Sequence, residues 1–192
     1  MAGTKTKFWL DIEQTALLII DVQEKLAPAM DPELYQRLVQ NVNLLIEGCG
    51  IFDLPIIATE QYPQGLGHTV AELDGATGQS RIEKIAFSCC GEPTFLEALE
   101  KTGAKQVLVT GMESHVCVLQ TVIDLLDRGY IVHLVSDGVC SRFKDDYRNA
   151  LAFAAQAGAV VTTTETALFQ MAGTAASAGF KSVSRLVRQR TV

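Results

Sequence analysis

No apolar run in this chain approaches the ~20 residues that a bilayer-spanning helix requires, so a helical membrane protein is excluded. Basic residues are the minority: 16 Lys and Arg against 22 Asp and Glu give a net charge of −6 and a pI near 5.1. That balance argues against a nucleic-acid or anionic-membrane binder. The five cysteines contain no CxxC and no regular spacing, and Cys89 and Cys90 are adjacent. Neither a disulfide framework nor a zinc module follows from them. Residues 1–14 (MAGTKTKFWLDIEQ) hold no apolar stretch of signal-peptide length. No linker or internal repeat interrupts the chain. A reducing, intracellular compartment is therefore expected, cytoplasmic or mitochondrial.

What the chain does have is an ordinary globular composition, 48% apolar and 20% charged over 192 residues. That is enough for one domain with a real core, expected over residues 1–192 with the core at about 13–170 and a tail at 172–192. The organising stretch is residues 106–118, QVLVTGMESHVCV. Val107, Leu108 and Val109 read as a buried strand, Thr110-Gly111 break it, and Cys117 falls in the first turn of the helix that follows. Unpaired N–H groups and the helix dipole at such a junction favour a thiolate. The competing reading makes Cys117 a small buried apolar residue.

Taken in order, residues 15–21 (TALLIID) are apolar on both faces, as suits a central parallel strand. Asp31-Pro32 reads as an N-cap and first helical position, followed by Leu34, Leu38, Val42, Leu45 and Ile46 at helical spacing. Gly48 and Gly50 are expected to close that helix. Residues 54–59 form the next strand, and residues 60–80, rich in Gly, Pro and polar side chains, an irregular excursion. A short strand is expected at 80–84, a helix at 93–102, a strand at 130–135, a helix at 145–156 closed by Gly158, a strand at 159–162 and a short helix at 165–171. The basic tail residues Lys181, Arg185, Arg188 and Arg190 read as a solvated or partner-facing helix. The alternation predicts an α/β fold, a three-layer α-β-α sandwich around a mainly parallel sheet.

Ligands gather at the carboxyl ends of such strands, where this chain places Asp21, Lys84 and, just beyond, Cys117. Taken singly, Asp21 reads as a solvated loop acid and Lys84 as a surface lysine. Together they are complementary: a carboxylate can accept a thiol proton, and an ammonium can stabilise the thiolate.

Four stretches resemble the isochorismatase-like cysteine hydrolases. They are LLIIDVQ (17–23), the KxxFS run at Lys84, Phe87 and Ser88, GMESHVCVLQT (111–121) and LVSDGV (134–139). The third carries the family's G-x-x-[ST]-x-x-C-V-x-x-T pattern on Gly111, Ser114, Cys117, Val118 and Thr121. The wording GMESHVCV and TEQYPQGLG resembles the branch of the mammalian isochorismatase-domain-containing proteins. The resemblance implies a Rossmann-like hydrolase fold and a triad of Asp21 as base, Lys84 as its cationic partner and Cys117 as nucleophile. It also implies a cis peptide joining Met112 to Glu113, with the N–H groups of Glu113 and Cys117 as oxyanion donors. The expected reaction is hydrolysis of a C–N bond in a small amide, carbamoyl compound or imide through a thioacyl-enzyme, by a homo-oligomer (dimer or higher). An oligomeric binding or regulatory protein with little turnover is the alternative.

Departures from the family also bear on function. Nicotinamidases carry an Asp-x-His…His metal set after the second strand. Here that loop reads EQYPQGLGH, with His68 its one histidine and no aspartate before it. No metal, no other cofactor and no nicotinamidase activity are expected. True isochorismatases cleave a vinyl ether without a cysteine nucleophile, so Cys117 argues against that reaction. Gln23, Tyr62, Phe87, Ser88 and His115 are candidate pocket residues, with Phe143 as a further wall. Cys89 and Cys90 read as packing or pocket lining, His133 as a satisfied core or interface histidine, and Asp137 as either shaping the site or capping the next segment.

Overall fold

The computed structural model describes residues 3–74 and 81–190, so residues 75–80 of the expected excursion and the start of the expected 80–84 strand lie outside the described residues. The elements run α1 (Thr4–Phe8), β1 (Thr15–Ile20), α2 (Pro32–Ile51), β2 (Ile56–Gln61), α3 (Pro63–Leu66), α4 (Ala71–Asp74), β3 (Arg81–Lys84) and α5 (Pro93–Lys101). There follow β4 (Gln106–Met112), α6 (Leu119–Asp127), β5 (Ile131–Cys140), α7 (Lys144–Ala157), β6 (Val160–Thr162), α8 (Thr164–Ala172) and α9 (Phe180–Arg188). The six strands form one sheet in the order β3-β2-β1-β4-β5-β6, every pairing parallel. The chain builds outward from β1 on one side and then returns to start β4 on the other. The carboxyl ends of β1 and β4 therefore meet at the switch point of the sheet, where such folds leave a crevice.

Alternation along β1 explains the three layers. Leu17 and Ile19 enter one core with α2, α8 and α9, while Ala16, Leu18 and Ile20 enter the other with α5, α6 and α7. Asp31 caps α2 as expected, accepting from the Glu33 and Leu34 N–H groups. Gly48 and Gly50 do not close that helix; it runs on to Ile51. A Cβ at Gly48 would sit 2.3 Å from Leu168 Cδ2, so this glycine lets α8 pack closely against α2. β5 continues through Asp137-Gly138 to Cys140 after a register shift, because Val139 and Cys140 pair with Gly111 and Met112. The basic tail is a packed amphipathic helix rather than a free one: Val183 and Leu186 of α9 are buried, with Lys181, Arg185 and Arg188 outward. Among the described residues no helix is long and apolar enough to cross a membrane.

Asp137 serves the fold as a cap. Its Oδ1 accepts from the Thr164 N–H and hydroxyl, and its Oδ2 lies 2.6 Å from Arg190 Nη2. His133 is a core residue but not a satisfied one. It has no exposed surface, and among the described residues neither ring nitrogen has a hydrogen-bond partner at full bonding geometry; the Lys7 backbone opposes the effect of burial without outweighing it. Burial pushes its pKa down to about 4. The unfolded chain then takes up a proton, near pH 6.5, that the folded chain refuses until about pH 4. Stability from this group is complete above that window and is lost as pH falls through it, on the order of 3 kcal/mol. Urea midpoints at half-unit steps from pH 7.5 to 4 should fall steeply for the parent. His133→Leu should flatten that fall; an unchanged slope would refute the assignment.

Candidate active site

Three strand ends converge at the switch point. Asp21 follows β1 directly and has a positive φ of 51°, a conformation aspartate tolerates better than most residues. Its N–H donates to the Thr59 carbonyl at the end of β2. Lys84 ends β3, two strands away, and its side chain reaches across β2. Lys84 Nζ lies 2.7 Å from Asp21 Oδ2, and neither side chain has exposed surface. It also donates to Gln61 Oε1 at 2.7 Å, the Phe87 carbonyl at 2.9 Å and the Ala86 carbonyl at 3.2 Å. Burial alone works against the Lys84 charge, but Asp21 and the two neighbouring thiols, Cys89 and Cys117, outweigh it, so its pKa is raised.

The third strand end is β4. Gly111 has φ 119°, and a Cβ there would lie 2.0 Å from the Ile20 carbonyl oxygen. Only glycine allows the two central strands to approach so closely beneath the site. The Met112–Glu113 peptide is cis. A single wide turn, residues Ser114–Val118, follows before α6, with the N–H groups of Val116 and Val118 both donating to the Glu113 carbonyl. Cys117 therefore sits in this wide turn, not in the first turn of an ordinary helix. Its side of the turn is closed: the residue is 6% exposed. The Glu113 carboxylate turns away to Arg142, whose Nε lies 3.0 Å from Oε1.

Cys117 joins Asp21 and Lys84 in one charged cluster, since the charges of both act on its thiol. The thiol pKa is nevertheless raised, contrary to what a helix N-terminus suggests. Burial is the largest cause, the Asp21 carboxylate the next, and the Lys84 ammonium only opposes them. The resting group is a neutral thiol beside a buried carboxylate–ammonium pair. Such a cluster can pass the thiol proton to the carboxylate as the sulfur bonds to an electrophile.

The other candidates divide. Tyr62, Phe87 and Phe143 are exposed at the carboxyl ends of β2, β3 and β5, together with Ile85, which is 71% exposed. His115 lies beside this rim, its Nδ1 3.0 Å from Ser141 Oγ. Two candidates are engaged in hydrogen bonds of the framework. Gln23 is fully buried, with Nε2 donating to the Gln61 and Gly67 carbonyls and Oε1 accepting from the Gln61 N–H. It fastens the loop after β2. The Ser88 hydroxyl donates to Asp124 of α6 at 2.6 Å. His68 is exposed and its Nδ1 lies 3.0 Å from Glu60 Oε2; among the described residues no group of three or more His, Cys, Asp or Glu could hold a metal.

Residue types alone did not mark Thr59 and Gln61, yet both border the cluster, as does Cys89, whose sequence reading is packing or pocket lining. Thr59 Oγ1 lies 2.8 Å from Asp21 Oδ1 and 3.7 Å from Cys89 Sγ. The rule that drew attention to strand ends would have included Thr59 and Gln61 had it been applied to β2.

Comparison with known proteins places the chain in a family. The isochorismatase domain model matches residues 15–166. Isochorismatase family protein 1B of Dictyostelium discoideum is 39% identical over 184 residues, covering 93% of this chain and 88% of that one. Isochorismatase domain-containing protein 2 of Danio rerio is 37% identical over 178 residues, covering 93% and 89%. The solved structure of MAR1 ribonuclease from Caenorhabditis elegans superposes with a TM-score of 0.87 at 37% identity, covering 94% of this chain and 92% of that one. With the family model spanning most of the chain and these relatives matching nearly all of it, the protein belongs to the isochorismatase family.

Proposed function

We propose that this member of a hydrolase family cleaves a C–N bond in a small amide, carbamoyl compound or imide, with Cys117 as nucleophile, Asp21 as proton acceptor and donor, and Lys84 as their cationic partner. The observation that carries the reading is the Lys84–Asp21 pair, 2.7 Å apart and fully buried beside a nearly buried Cys117. Burying a carboxylate and an ammonium at the end of three strands costs several kcal/mol of desolvation. A purely structural position would be filled as well by apolar side chains.

In the proposed cycle the Cys117 sulfur bonds to the carbonyl carbon as Asp21 takes the thiol proton. The negative oxygen is held by the N–H groups of Glu113, just before the wide turn, and Cys117, within it. Asp21 returns the proton to the leaving nitrogen, the C–N bond breaks and an acyl thioester remains. Water, losing its proton to Asp21, resolves the thioester to a carboxylic acid and the free thiol. The apolar rim of Tyr62, Ile85, Phe87 and Phe143 supports a small substrate with an apolar part, and supports assembly of copies through the same rim.

A panel of small amides, carbamoyl compounds and imides, incubated with the parent and with Cys117→Ser, tests this reading. Turnover by the parent, a mass adduct on the Cys117 peptide and a loss of at least ~10³-fold in the variant are expected. No turnover and no adduct on any of them would leave the binding or regulatory alternative. RNA belongs in the same assay because of the name of the Caenorhabditis elegans relative. The net charge of −6 and the buried site give a strand little to bind, and RNA is expected to stay intact.

A further inference from the structure

Asp21 has two oxygens, and only one is accounted for by Lys84. The other, Oδ1, lies 2.8 Å from the Thr59 hydroxyl, inside a cluster where Asp21 has no exposed surface and Thr59 is 1% exposed. A carboxylate can only accept, so the single hydroxyl proton of Thr59 is committed to Oδ1. On its other side Thr59 Oγ1 meets Cys89 Sγ at 3.7 Å. With its proton already given, Thr59 can only accept there, which makes the Cys89 thiol the donor. Cys89 is suited to that: it has no exposed surface, and burial pushes its pKa up to about 12, so it keeps its proton. The direction of the chain is thereby fixed: Cys89 S–H to Thr59 O–H to Asp21 carboxylate.

The backbone holds the same residues in place. Ile20 and Thr59 are in register across β1 and β2, and the Thr59 carbonyl accepts from the Asp21 N–H at 3.1 Å. The Cys89 N–H donates to Thr121 Oγ1, and that hydroxyl donates to the Cys117 carbonyl. Cys89 is thus tied at one end to the carboxylate and at the other to the backbone of Cys117. We propose that Thr59 is a positioning residue for the proton transfer, its polarity set by Cys89: the hydroxyl pins Asp21 Oδ1, as Lys84 pins Oδ2, so that the carboxylate presents its remaining lone pairs to Cys117 and stays ionised until the thiol proton arrives. This rests on the hydrolase reading above. A hydrogen bond to a carboxylate favours its charged form, and losing one favours protonation.

The test uses Thr59→Val, which keeps the branched shape and removes the hydroxyl, and Thr59→Ser, which returns it. Acylation of Cys117 by p-nitrophenyl acetate is followed by the nitrophenolate burst from pH 5 to 9, with the modified peptide identified by mass. In Thr59→Val the acid limb of the rate profile should move up by on the order of one pH unit, slowing acylation up to about tenfold below it. Thr59→Ser should restore the parent profile, and Cys89→Ala should move the limb the same way by less. A Thr59→Val profile that superimposes on the parent, or no recovery in Thr59→Ser, would overturn the proposal. Loss of stability without movement of the limb would show a structural role only and overturn it equally. If the parent itself is not acylated at Cys117, the hydrolase reading fails. Thr59 is then judged by infrared difference spectra, with the Asp21 carboxylate band identified through Asp21→Asn. Half-loss of that band at higher pH in Thr59→Val supports the pinning, and an unchanged pH refutes it.

Discussion

Replacing Lys84 by methionine is expected to destabilise the fold by about 3–5 kcal/mol and to slow acylation of Cys117 by ~10²-fold or more. Methionine matches the lysine stem in length and fills the same apolar path, so packing changes little. What goes is the ammonium, whose three N–H groups are shared among four acceptors: Asp21 Oδ2, Gln61 Oε1 and the carbonyls of Ala86 and Phe87. Asp21, with no exposed surface, would keep a charge and lose its counter-ion. Removing one partner of a buried pair is costly for that reason, even where the intact pair is worth little.

Two features separate this from a simple packing defect. The loss should be largest at neutral and alkaline pH and should shrink as pH falls toward the ordinary carboxylate range, where an unpaired acid becomes neutral. The double variant Lys84→Met with Asp21→Asn should recover most of the stability, because no buried charge is then left alone. Urea unfolding of the parent, both single variants and the double, at pH 7.5 and 5, gives the cycle. A double variant no more stable than Lys84→Met would mean that the ammonium does not compensate Asp21.

Much of this arrangement could be read from the sequence. The run at 15–21 is apolar in consecutive positions, and the structure splits it cleanly between two cores. Asp31-Pro32 capped the helix it was expected to cap. Asp21 and Lys84 were legible because each closes a strand, and strand ends of parallel sheets face one crevice. Properties that depend on the third dimension were not legible. That Lys84 crosses β2 follows from sheet order, which the sequence does not state. Gly48 looked like a terminator because glycine usually is one, but its missing side chain makes room for Leu168. Gln23 and Ser88 are close to Asp21 and Lys84 along the chain, but the hydrogen bonds they make, to the Gln61 backbone and to Asp124, join segments that the sequence does not show to be neighbours. The expected direction of the Cys117 shift failed for a related reason. A helix start lowers a thiol pKa when the thiol is partly solvated. Here 6% exposure and an adjacent carboxylate outweigh the ammonium.

That reversal gives Asp21→Asn two effects of opposite sign. Turnover of an amide, carbamoyl compound or imide should fall by ~10²–10⁴-fold, because no group remains to protonate the leaving nitrogen or to take the proton of the attacking water. Alkylation of Cys117 by iodoacetamide at neutral pH should instead become faster, by on the order of tenfold or more. In the parent, burial and the Asp21 charge raise the thiol, and only Lys84 opposes them. Asparagine removes the carboxylate's charge and leaves the ammonium, still held by Gln61 and the carbonyls of Ala86 and Phe87. The thiolate is then favoured by the one charge left beside it. Alkylation rates from pH 6 to 10, read by peptide mass with Cys49 and Cys140 as buried internal references, should show the Cys117 midpoint moving down in Asp21→Asn and nowhere else. A nucleophile that rests as a thiolate held by Asp21 and Lys84 jointly would respond the other way, with slower alkylation in the variant. Faster alkylation together with lost turnover identifies Asp21 as the base that acts during the reaction, because a residue that merely stabilised a standing thiolate could not slow one and quicken the other.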